Sequence, residues 1–258
     1  LRLVFTACHP VLSRDAQVAL TLKLIGGLTT DESARAFLVT EPTMAQRIVR
    51  AKRSLSEARV PFELPPREQL SERLAAVLEV IYLVFNEGYA ATSGDNWMRP
   101  ALCDEALRLA RMLAALAPNE PEAHGLQALL EIQASRVHAR VDAQGQPVLL
   151  MAQDRSRWDR LLIRRGLAAL NQADLLCRQR PLGPYALQAA IAACHARAGH
   201  AEDTDWTLIC TLYDLLLVVQ PSPVVELNRA VAISQAHGPA AALPLVQALS
   251  AQPQLARY

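Results

Sequence analysis

The sequence has none of the features that define disulfide-stabilised, membrane-spanning or zinc-binding proteins. Its five cysteines are an odd number and include no CxxC pair, so we expect reduced thiols in a cytoplasmic protein. No apolar run is long enough to span a membrane, and no signal peptide is visible. A P-loop, a dinucleotide-binding fingerprint and a metal-ligand spacing are also missing from the sequence. These absences predict a non-enzymatic protein that needs no cofactor and no metal.

Net charge is also small. The chain has 258 residues with 26 basic and 25 acidic side chains, so the protein as a whole is not a basic nucleic-acid binder. The charges are unevenly distributed, however, because residues 1–62 hold nine Lys/Arg against five Asp/Glu and the remainder holds 17 against 20. This asymmetry indicates a local nucleic-acid surface near the start of the chain. Hydrophobic residues make up 52%, enough for one large or two smaller domains with substantial cores.

Residues 43–55 predict an amphipathic helix with a basic outer face. Its apolar positions recur at helical spacing, at Met44, Ile48, Ala51 and Leu55. Thr43 is the expected N-cap, with Gln46 in a capping box and Pro42 ending any earlier helix. The side chains expected to face a DNA groove or its phosphates are Thr43, Ala45, Gln46, Arg47, Arg50, Lys52 and Arg53. For an isolated helix of this kind, a solvated basic surface is the plainer interpretation.

The residues before this helix complete a helix-turn-helix pattern. Ser13 is a suitable N-cap for a first helix. Thr29 and Glu32 have the spacing of a capping box at the start of a short second helix. The inward positions of that second helix are Ala34, Phe37 and Leu38. A turn over residues 39–42 leads into the basic helix, which is expected to enter the major groove through its N-terminal residues.

Residues 12–55 resemble region 4 of the extracytoplasmic-function RNA polymerase sigma factors. The resemblance rests on Leu28-Thr29, Glu32, Ala34 and the run Thr43-x-x-x-Arg47-x-x-Arg50-Ala51. It implies binding to the −35 promoter element and to the β-flap of the RNA polymerase core. Ser33 departs from the family, which usually has an aliphatic residue there. Nothing in the chain resembles region 2, which melts the −10 element in that family, so we expect that the chain could not open a promoter alone. Because it begins at Leu1 without an initiator methionine, we expect it to be a piece of a longer protein.

A proline-rich segment marks the predicted domain boundary. Three prolines within six residues make residues 61–66 an extended, fairly stiff spacer. We therefore assign a helix-turn-helix domain to residues 1–62, a linker to residues 63–66 and a helical regulatory domain to residues 67–258.

The third segment is almost wholly helical by pattern. Gly88 is expected to end its first helix in the left-handed conformation, and a later helix is expected over residues 206–219. Alanine-rich segments at residues 189–193 and 229–233 predict a degenerate repeat of tetratricopeptide-like helical pairs. The predicted fold is therefore all-α, with a helix-turn-helix domain followed by a tetratricopeptide-like solenoid. An irregular helical bundle is the alternative.

Three motifs, at residues 85–89, 154–159 and 221–230, resemble a sigma-factor subgroup in which a tetratricopeptide-like domain follows region 4. The resemblance implies that this domain tunes sigma activity, in place of a separate anti-sigma protein. The candidate ligand or interdomain site comprises Asn86, Glu87, Tyr89, Asp154, Arg155, Arg157, Trp158 and Asp159. A salt-bridge cluster that only holds an irregular loop to the solenoid is the structural alternative.

Two other functions compete with a sigma factor. In the first, the helical repeat is a scaffold that binds a peptide or protein, or senses a ligand as a transcriptional regulator, and the helix-turn-helix only packs. In the second, the chain is a hydrolase built on acidic side chains and on His195 beside Cys194. The acids in question are Glu87, Asp154, Asp159 and Asp205. For a histidine within an alanine-rich helix, a packed core position is the plainer role.

Overall fold

The computed structural model describes residues 1–36, 39–89, 99–178 and 180–250, apart from the side chains of residues 35, 36, 67, 68 and 71. Throughout these ranges the chain is all-α, as predicted, and the described residues contain no β-strand. The chain divides into two compact units, Leu1–Ala117 and Pro118–Tyr258. The linker assigned to residues 63–66 lies inside the first unit, and the domain assignment itself remains a prediction.

The first unit begins with the helix-turn-helix segment. Its helices are α1 (Arg2–Ala7), α2 (Arg14–Leu24), α3 (Thr30–Ala36), α4 (Glu41–Glu57), α5 (Arg67–Tyr89) and α6 (Pro100–Leu116). Helices α3 and α4 pack on each other, and both pack on α2. The predicted helix-turn-helix is thereby confirmed, whereas the sequence pattern did not predict α1.

The apolar stripe of α4 is buried, as its spacing predicted. Met44 is fully buried, and Ile48 and Ala51 are also buried. They form one core with residues of the preceding helices and turns, which are Ala7, Leu12, Ala16, Ala19, Leu20 and Ala34, and with the partly buried Leu55 and Val39. Of the predicted inward positions of α3, Ala34 is buried, and Phe37 and Leu38 lie outside the described residues.

The start of α3 has the predicted capping box. The Glu32 backbone N–H donates to the Thr29 hydroxyl at 3.1 Å, and the Thr29 N–H donates to the Glu32 carboxylate at 2.7 Å. Ser33 is fully buried, and its hydroxyl donates to the Thr29 carbonyl at 2.9 Å. A satisfied hydrogen bond therefore makes this polar residue tolerable at a position where an aliphatic one is usual.

The start of α4 differs from the prediction. The N-cap is Thr40, and Pro42 lies in the first turn, so the expected capping role of Thr43 is wrong. Proline is compatible with the first turn because the N–H groups there have no partner within the helix. The Thr43 hydroxyl instead hydrogen-bonds the Thr40 hydroxyl at 2.8 Å.

Helix α5 packs directly onto α1 and α2, and the residue before α6 forms an ion pair with α3. The Arg73 guanidinium donates to the carbonyl of Phe5 and lies 5.7 Å from the centre of its ring. Glu79 forms an ion pair with Arg14 at the start of α2. At the start of α6, Arg99 pairs with Glu32 at 3.3 Å. Three elements of the helix-turn-helix segment are therefore bonded to residues that follow the proline-rich spacer.

Gly88 does not end α5 in the left-handed conformation, and this expectation was wrong. It lies inside the helix, and its carbonyl accepts from the Arg99 N–H at 2.7 Å. A Cβ at this position would lie 2.8 Å from the Cys103 nitrogen and 2.8 Å from the Cβ of Leu102. The missing side chain therefore allows α5 and α6 to approach closely.

The second unit consists of helices that pack mainly on their neighbours in sequence. They are α7 (Pro121–Ala134), α8 (Arg160–Leu176), α9 (Pro184–Arg197), α10 (Trp206–Val219), α11 (Pro223–His237) and α12 (Pro239–Ser250). Helix α7 packs on α8 and α9. Helix α9 packs on α10, α10 packs on α11, and α11 packs on α12. This order is typical of helical repeats, and the tetratricopeptide-like solenoid remains a prediction.

The contact between α7 and α9 is unusually close. The Glu122 carboxylate of α7 accepts from the backbone N–H groups of Tyr185 and Ala186 at 2.8 and 3.0 Å, and so caps the start of α9. Burial raises the pKa of Glu122, while these two hydrogen bonds act in the opposite direction. A Cβ on Gly125 would lie 2.7 Å from the Ala186 nitrogen, so glycine is required by the backbone approach.

Candidate nucleic-acid interface

The outer face of α4 presents a row of polar side chains opposite its buried stripe. Gln46, Arg50 and Arg53 are all exposed, and their spacing of four and three residues places them along one side of the helix. Val49, which is 64% exposed, lies beside this row. Lys52 is exposed on the flank. Helix α4 therefore buries its apolar side in the core and exposes three cationic side chains, Arg50, Lys52 and Arg53, to solvent.

The four cations of α4 are in different electrostatic states. Arg47 is only 24% exposed and pairs with Asp15 of α2 at 3.6 Å. Arg53 pairs with Glu57 one turn later at 2.6 Å, and both of these side chains are well exposed. Within the described ranges, Arg50 and Lys52 have no acidic partner. An incoming phosphate would therefore meet Arg50 and Lys52 without first displacing a carboxylate.

The N-terminal residues of α4 are accessible. Thr43 is exposed, and Ala45 is half-buried. The first turn of a helix offers unpaired backbone N–H groups and the positive end of the helix dipole, both of which favour phosphate. Small and polar side chains at these positions leave room for a nucleic acid to approach.

The candidate ligand site is divided between the two compact units. In the first unit, Asn86, Glu87 and Tyr89 lie in the last turn of α5. The Tyr89 ring stacks on Phe85 with the ring centres 5.3 Å apart. Glu87 is buried at the wall of a cleft of about 310 Å³ between α2 and α5, whose apolar lining is Val18, Leu22 and Leu83.

In the second unit, Arg155 is committed to the protein itself. It is 8% exposed, and its guanidinium donates to the carbonyls of His195 and Ala198 at 2.5 and 2.8 Å. These carbonyls lie at the C-terminal end of α9, where carbonyl groups lack partners within the helix. The guanidinium also lies 4.9 Å from the centre of the buried Trp158 ring. Arg155 therefore ties the 3₁₀ turn at Arg155–Arg157 to the end of α9.

The neighbouring acids cap helices. Asp154 accepts from the Ser156 N–H and hydroxyl at 2.9 and 2.7 Å, and these two bonds lower the pKa of its carboxyl. Asp159 accepts from two N–H groups in the first turn of α8, at 2.8 and 3.0 Å. Arg157 is exposed and makes one long hydrogen bond, 3.4 Å, to the Val141 carbonyl. An open cleft of about 470 Å³ lies beside Asp154 and Arg155.

The groups proposed for a hydrolase have structural positions. Asp205 caps α10 by accepting from the Leu208 N–H at 2.9 Å. His195 is buried edge-on against Trp206, 5.2 Å between ring centres, and burial and then two neighbouring arginines lower its pKa to about 4. Burial raises the pKa of the Cys194 thiol, which makes it a poor nucleophile at neutral pH. No group of three metal-ligating side chains capable of holding an ion occurs in the described part of the chain.

Three features of the basic face were not predicted from the sequence, which are the N-cap residue of α4 and two ion pairs. Thr40 occupies the N-cap position of α4 in place of Thr43, Asp15 pairs with Arg47, and Glu57 pairs with Arg53. The last pair has the i, i+4 spacing that a helix brings together, so the sequence contained its signal. Asp15 is 32 positions from Arg47, and only the packing of α2 on α4 brings them together.

The geometry of α3 and α4, with a capped short helix, a turn and a basic outer face, defines the start of the chain as a helix-turn-helix of the DNA-binding class. Residues 2–55 match the family described as sigma-70, region 4, which supports a sigma-70 region 4 at the start of the chain. Residues 73–174 match a family of unknown function (DUF6596), consistent with an extracytoplasmic-function-like sigma factor that has an extension. The region 4 family is a family of transcription factors rather than enzymes.

One curated relative is an uncharacterized protein of Rhizobium meliloti (strain 1021). It is 52% identical over 249 residues, which cover 96% of this chain. The chain spans 58% of the length of that relative. No solved structure matches the chain. Among the described helices, none combines the length and apolar character needed to cross a membrane.

Proposed function

We propose that this chain is the region 4 and C-terminal extension of a sigma factor that directs RNA polymerase to promoters by binding the −35 element. The supporting observation is the outward row of Gln46, Arg50 and Arg53 on a helix whose other face is buried. Arginine and glutamine supply the bidentate donors and acceptors that guanine and adenine edges require. The proposed contact residues are Thr43, Ala45, Gln46, Arg47, Arg50, Lys52 and Arg53.

The proposed partners follow from the family. Promoter DNA would bind α4, and the β-flap of the RNA polymerase core would bind another surface of region 4, in the cytoplasm. The extension would tune this activity, and the bonds that α5 and Arg99 make to α1, α2 and α3 support a direct structural connection. A ligand or another protein region is proposed to act at two groups of residues, one in each unit, which are Asn86, Glu87 and Tyr89 on α5 and Asp154, Arg155, Arg157, Trp158 and Asp159 in the second unit.

Substitution of Arg50 tests the DNA-binding proposal. Arg50→Ala should weaken binding to a −35-like duplex by about 1–3 kcal/mol if Arg50 reads a base, and should relax sequence preference at that base pair. Fluorescence anisotropy with the full chain, at a fixed low salt concentration, measures both effects. The matched control is Arg164→Ala, which removes an exposed helical arginine of α8 that belongs to the other compact unit.

Unchanged affinity of the Arg50 variant would remove this side chain from the interface. Equal losses of duplex affinity in the Arg50 and Arg164 variants would mean that the effect comes from the change in net charge and not from a contact made by Arg50. Failure of the unsubstituted chain to bind any duplex at low salt would count against the whole proposal.

A protein-interaction scaffold is the second candidate function, and one observation favours it. Pro181, Leu182 and Leu187 line an apolar groove of about 250 Å³ together with Leu215, Val218 and Val219 of α10. Val218 is 81% exposed and Leu215 is 49% exposed. Exposed apolar groups that are contiguous mark binding surfaces more often than scattered ones do.

The two candidates give different results in one pair of assays. Under the scaffold function, Val218→Asp and Leu215→Asp would abolish binding of a protein partner while duplex binding stayed undetectable. Under the sigma-factor function, duplex binding occurs, falls steeply with salt and is unaffected by either substitution.

A further inference from the structure

Helix α8 and the turn before it carry an exposed group of arginines. Arg157 precedes the helix, and Arg160, Arg164 and Arg165 lie in its first two turns. All four are exposed. In the part of the chain that the structure describes, none of the four forms a salt bridge. They therefore present their charge to solvent and not to a carboxylate of the protein.

Three carboxylates lie in or beside this segment. Asp154 accepts hydrogen bonds from the N–H and the hydroxyl of Ser156. Asp159 accepts from two backbone N–H groups of α8. Glu202 lies with Arg160 on the wall of the open cleft of about 470 Å³. Four exposed arginines against these three acids leave the surface with a net positive charge.

The position of Arg160 is unfavourable for the helix itself. The N-terminal end of a helix carries a partial positive charge, which disfavours a cation in the first turn. Arg160 is the first residue of α8, and apart from the N-cap Asp159 the start of the helix has no acidic side chain. Natural sequences break such local rules mainly at functional sites, so this arginine indicates a partner that the helix alone does not supply.

An apolar stripe runs along the outer side of the same helix. Leu161 is 46% exposed and Leu175 is 41% exposed, and the exposed Ala168 lies midway between them. At about 100° per residue, steps of seven keep these three on one side of the helix. The opposite side is buried, as Ile163 and Leu170 show. The stripe is about 21 Å long, which is the length of three to four helical turns.

The arginines flank this stripe. Arg164 and Arg165 lie three and four residues after Leu161, which places one on each side of the stripe. The face therefore has an apolar centre and cationic edges, which is the arrangement by which amphipathic helices recognise an oppositely charged helix. We call it the arginine face, and it comprises Arg157, Arg160, Arg164, Arg165, Leu161, Ala168 and Leu175.

We propose that the arginine face of α8 binds an acidic amphipathic helix of a protein partner. Guanidinium groups bind carboxylates through paired hydrogen bonds, and the apolar side of the partner would cover Leu161 and Leu175. A nucleic acid would supply phosphates for the arginines but leave the two exposed leucines, about 21 Å apart along the helix, uncovered. The inference rests on the proposed function only in placing another protein region at residues 154–159, and it does not depend on DNA binding by α4.

A synthetic peptide provides the test. It has about three heptads with leucine at positions a and d and glutamate at e and g, and the like charges disfavour pairing of the peptide with itself. The anisotropy of the labelled peptide is followed as the full chain is added at about 50 and 300 mM salt. We expect binding that weakens at the higher salt concentration. A peptide with lysine in place of glutamate should not bind, and one with serine in place of leucine should bind at least about tenfold more weakly.

Charge-reversing substitutions identify the surface. Arg160→Glu and Arg164→Glu should each weaken peptide binding by at least about tenfold, and Leu161→Ser by about threefold to tenfold. The matched control is Arg197→Glu, which reverses an exposed arginine at the end of α9 in the same unit and should leave the affinity unchanged. A glutamate in the first turn suits the helix dipole, so the melting temperature of Arg160→Glu should not fall. Loss of binding without loss of stability therefore reports a contact and not unfolding.

Three results would overturn the proposal. The first is no binding of the glutamate peptide to the unsubstituted chain at about 50 mM salt. The second is an equal loss of peptide affinity in Arg197→Glu, Arg160→Glu and Arg164→Glu, which would mean that only net charge matters. The third is binding of a duplex of unrelated sequence that falls in Arg160→Glu and Arg164→Glu while Leu161→Ser changes neither affinity, which would assign the face to nucleic acid. The −35-like duplex is titrated in parallel, and its dependence on Arg50 tests the proposed function separately.

Discussion

Arg155 allows the sharpest test of whether the polar cluster of the second unit is structural. Two short hydrogen bonds join its guanidinium to the carbonyls of His195 and Ala198, and the same group lies over the Trp158 ring. Hydrogen bonds to charged groups contribute about 1.5–3 kcal/mol each, and a desolvated cation–π contact adds up to about 2 kcal/mol. Removing a buried cation recovers part of its desolvation cost. We therefore expect Arg155→Met to lower the free energy of unfolding by about 2–4 kcal/mol.

Arg157→Met is the matched control within the same 3₁₀ turn. Arg157 is exposed and makes a single hydrogen bond of 3.4 Å, so its loss should change the free energy of unfolding by no more than about 0.5 kcal/mol. Arg155→Lys should restore little, because lysine lacks the planar fork that reaches two carbonyls and stacks on the ring.

Urea unfolding followed by tryptophan fluorescence measures these differences, since Trp158 and Trp206 both lie in the second unit. The melting temperature of Arg155→Met should fall by roughly 5–15 °C. Equal stability of the Arg155 and Arg157 variants would refute the reasoning. It would instead support the proposed role of Arg155 at a ligand or interdomain site.

Two further predictions concern packing and pH. Gly125→Ala should cost about 1–3 kcal/mol of stability, because the new Cβ meets the backbone nitrogen of Ala186 at 2.7 Å, whereas the Cβ of Gly199→Ala meets only the Asp203 carboxylate at 3.7 Å and should cost less in the same urea titration. A smaller loss at Gly125 than at Gly199 contradicts this ranking. The pKa of His195 is about 4 in the folded chain against 6.5 for the free side chain, so the unfolded state binds its proton first. The contribution of neutral His195 to the free energy of unfolding is therefore complete above pH 6.5. It is lost as the pH falls towards 4, by up to about 3 kcal/mol. His195→Phe should flatten this part of the profile, and an unchanged profile rules out His195 as its source.

The helices could be predicted from the sequence wherever the signal was local. The capping box at Thr29 and Glu32 formed as its spacing indicated, and α10 occupies the predicted residues 206–219. The predictions were wrong where one residue type is compatible with two different positions in a helix. Pro42 ends a preceding helix or begins a new one, and here it lies in the first turn of α4. Gly88 could have been a helix end, and the approach of α6 made it a packing position instead.

The candidate interface divides in the same way. Helical periodicity is enough to place Gln46, Arg50 and Arg53 along one side of α4, because the apolar stripe fixes which side is buried. Periodicity says nothing about Asp15, whose proximity to Arg47 depends on how two helices pack. The carbonyl partners of Arg155 are 40 and 43 positions away. The alternating charges around Trp158 therefore predicted a polar cluster but not the groups that Arg155 binds.

The bonds that α5 and α6 make to the first helices bear on how this molecule could be dissected or recombined. A chimaera made by cutting within the proline-rich spacer would leave the Phe5 carbonyl without Arg73 and Glu32 without Arg99. A transplant that preserves the shape of the helix-turn-helix therefore has to move residues 1–117 as one block. Any natural exchange of the helix-turn-helix among relatives would meet the same constraint, and would have to alter both sides of these contacts together.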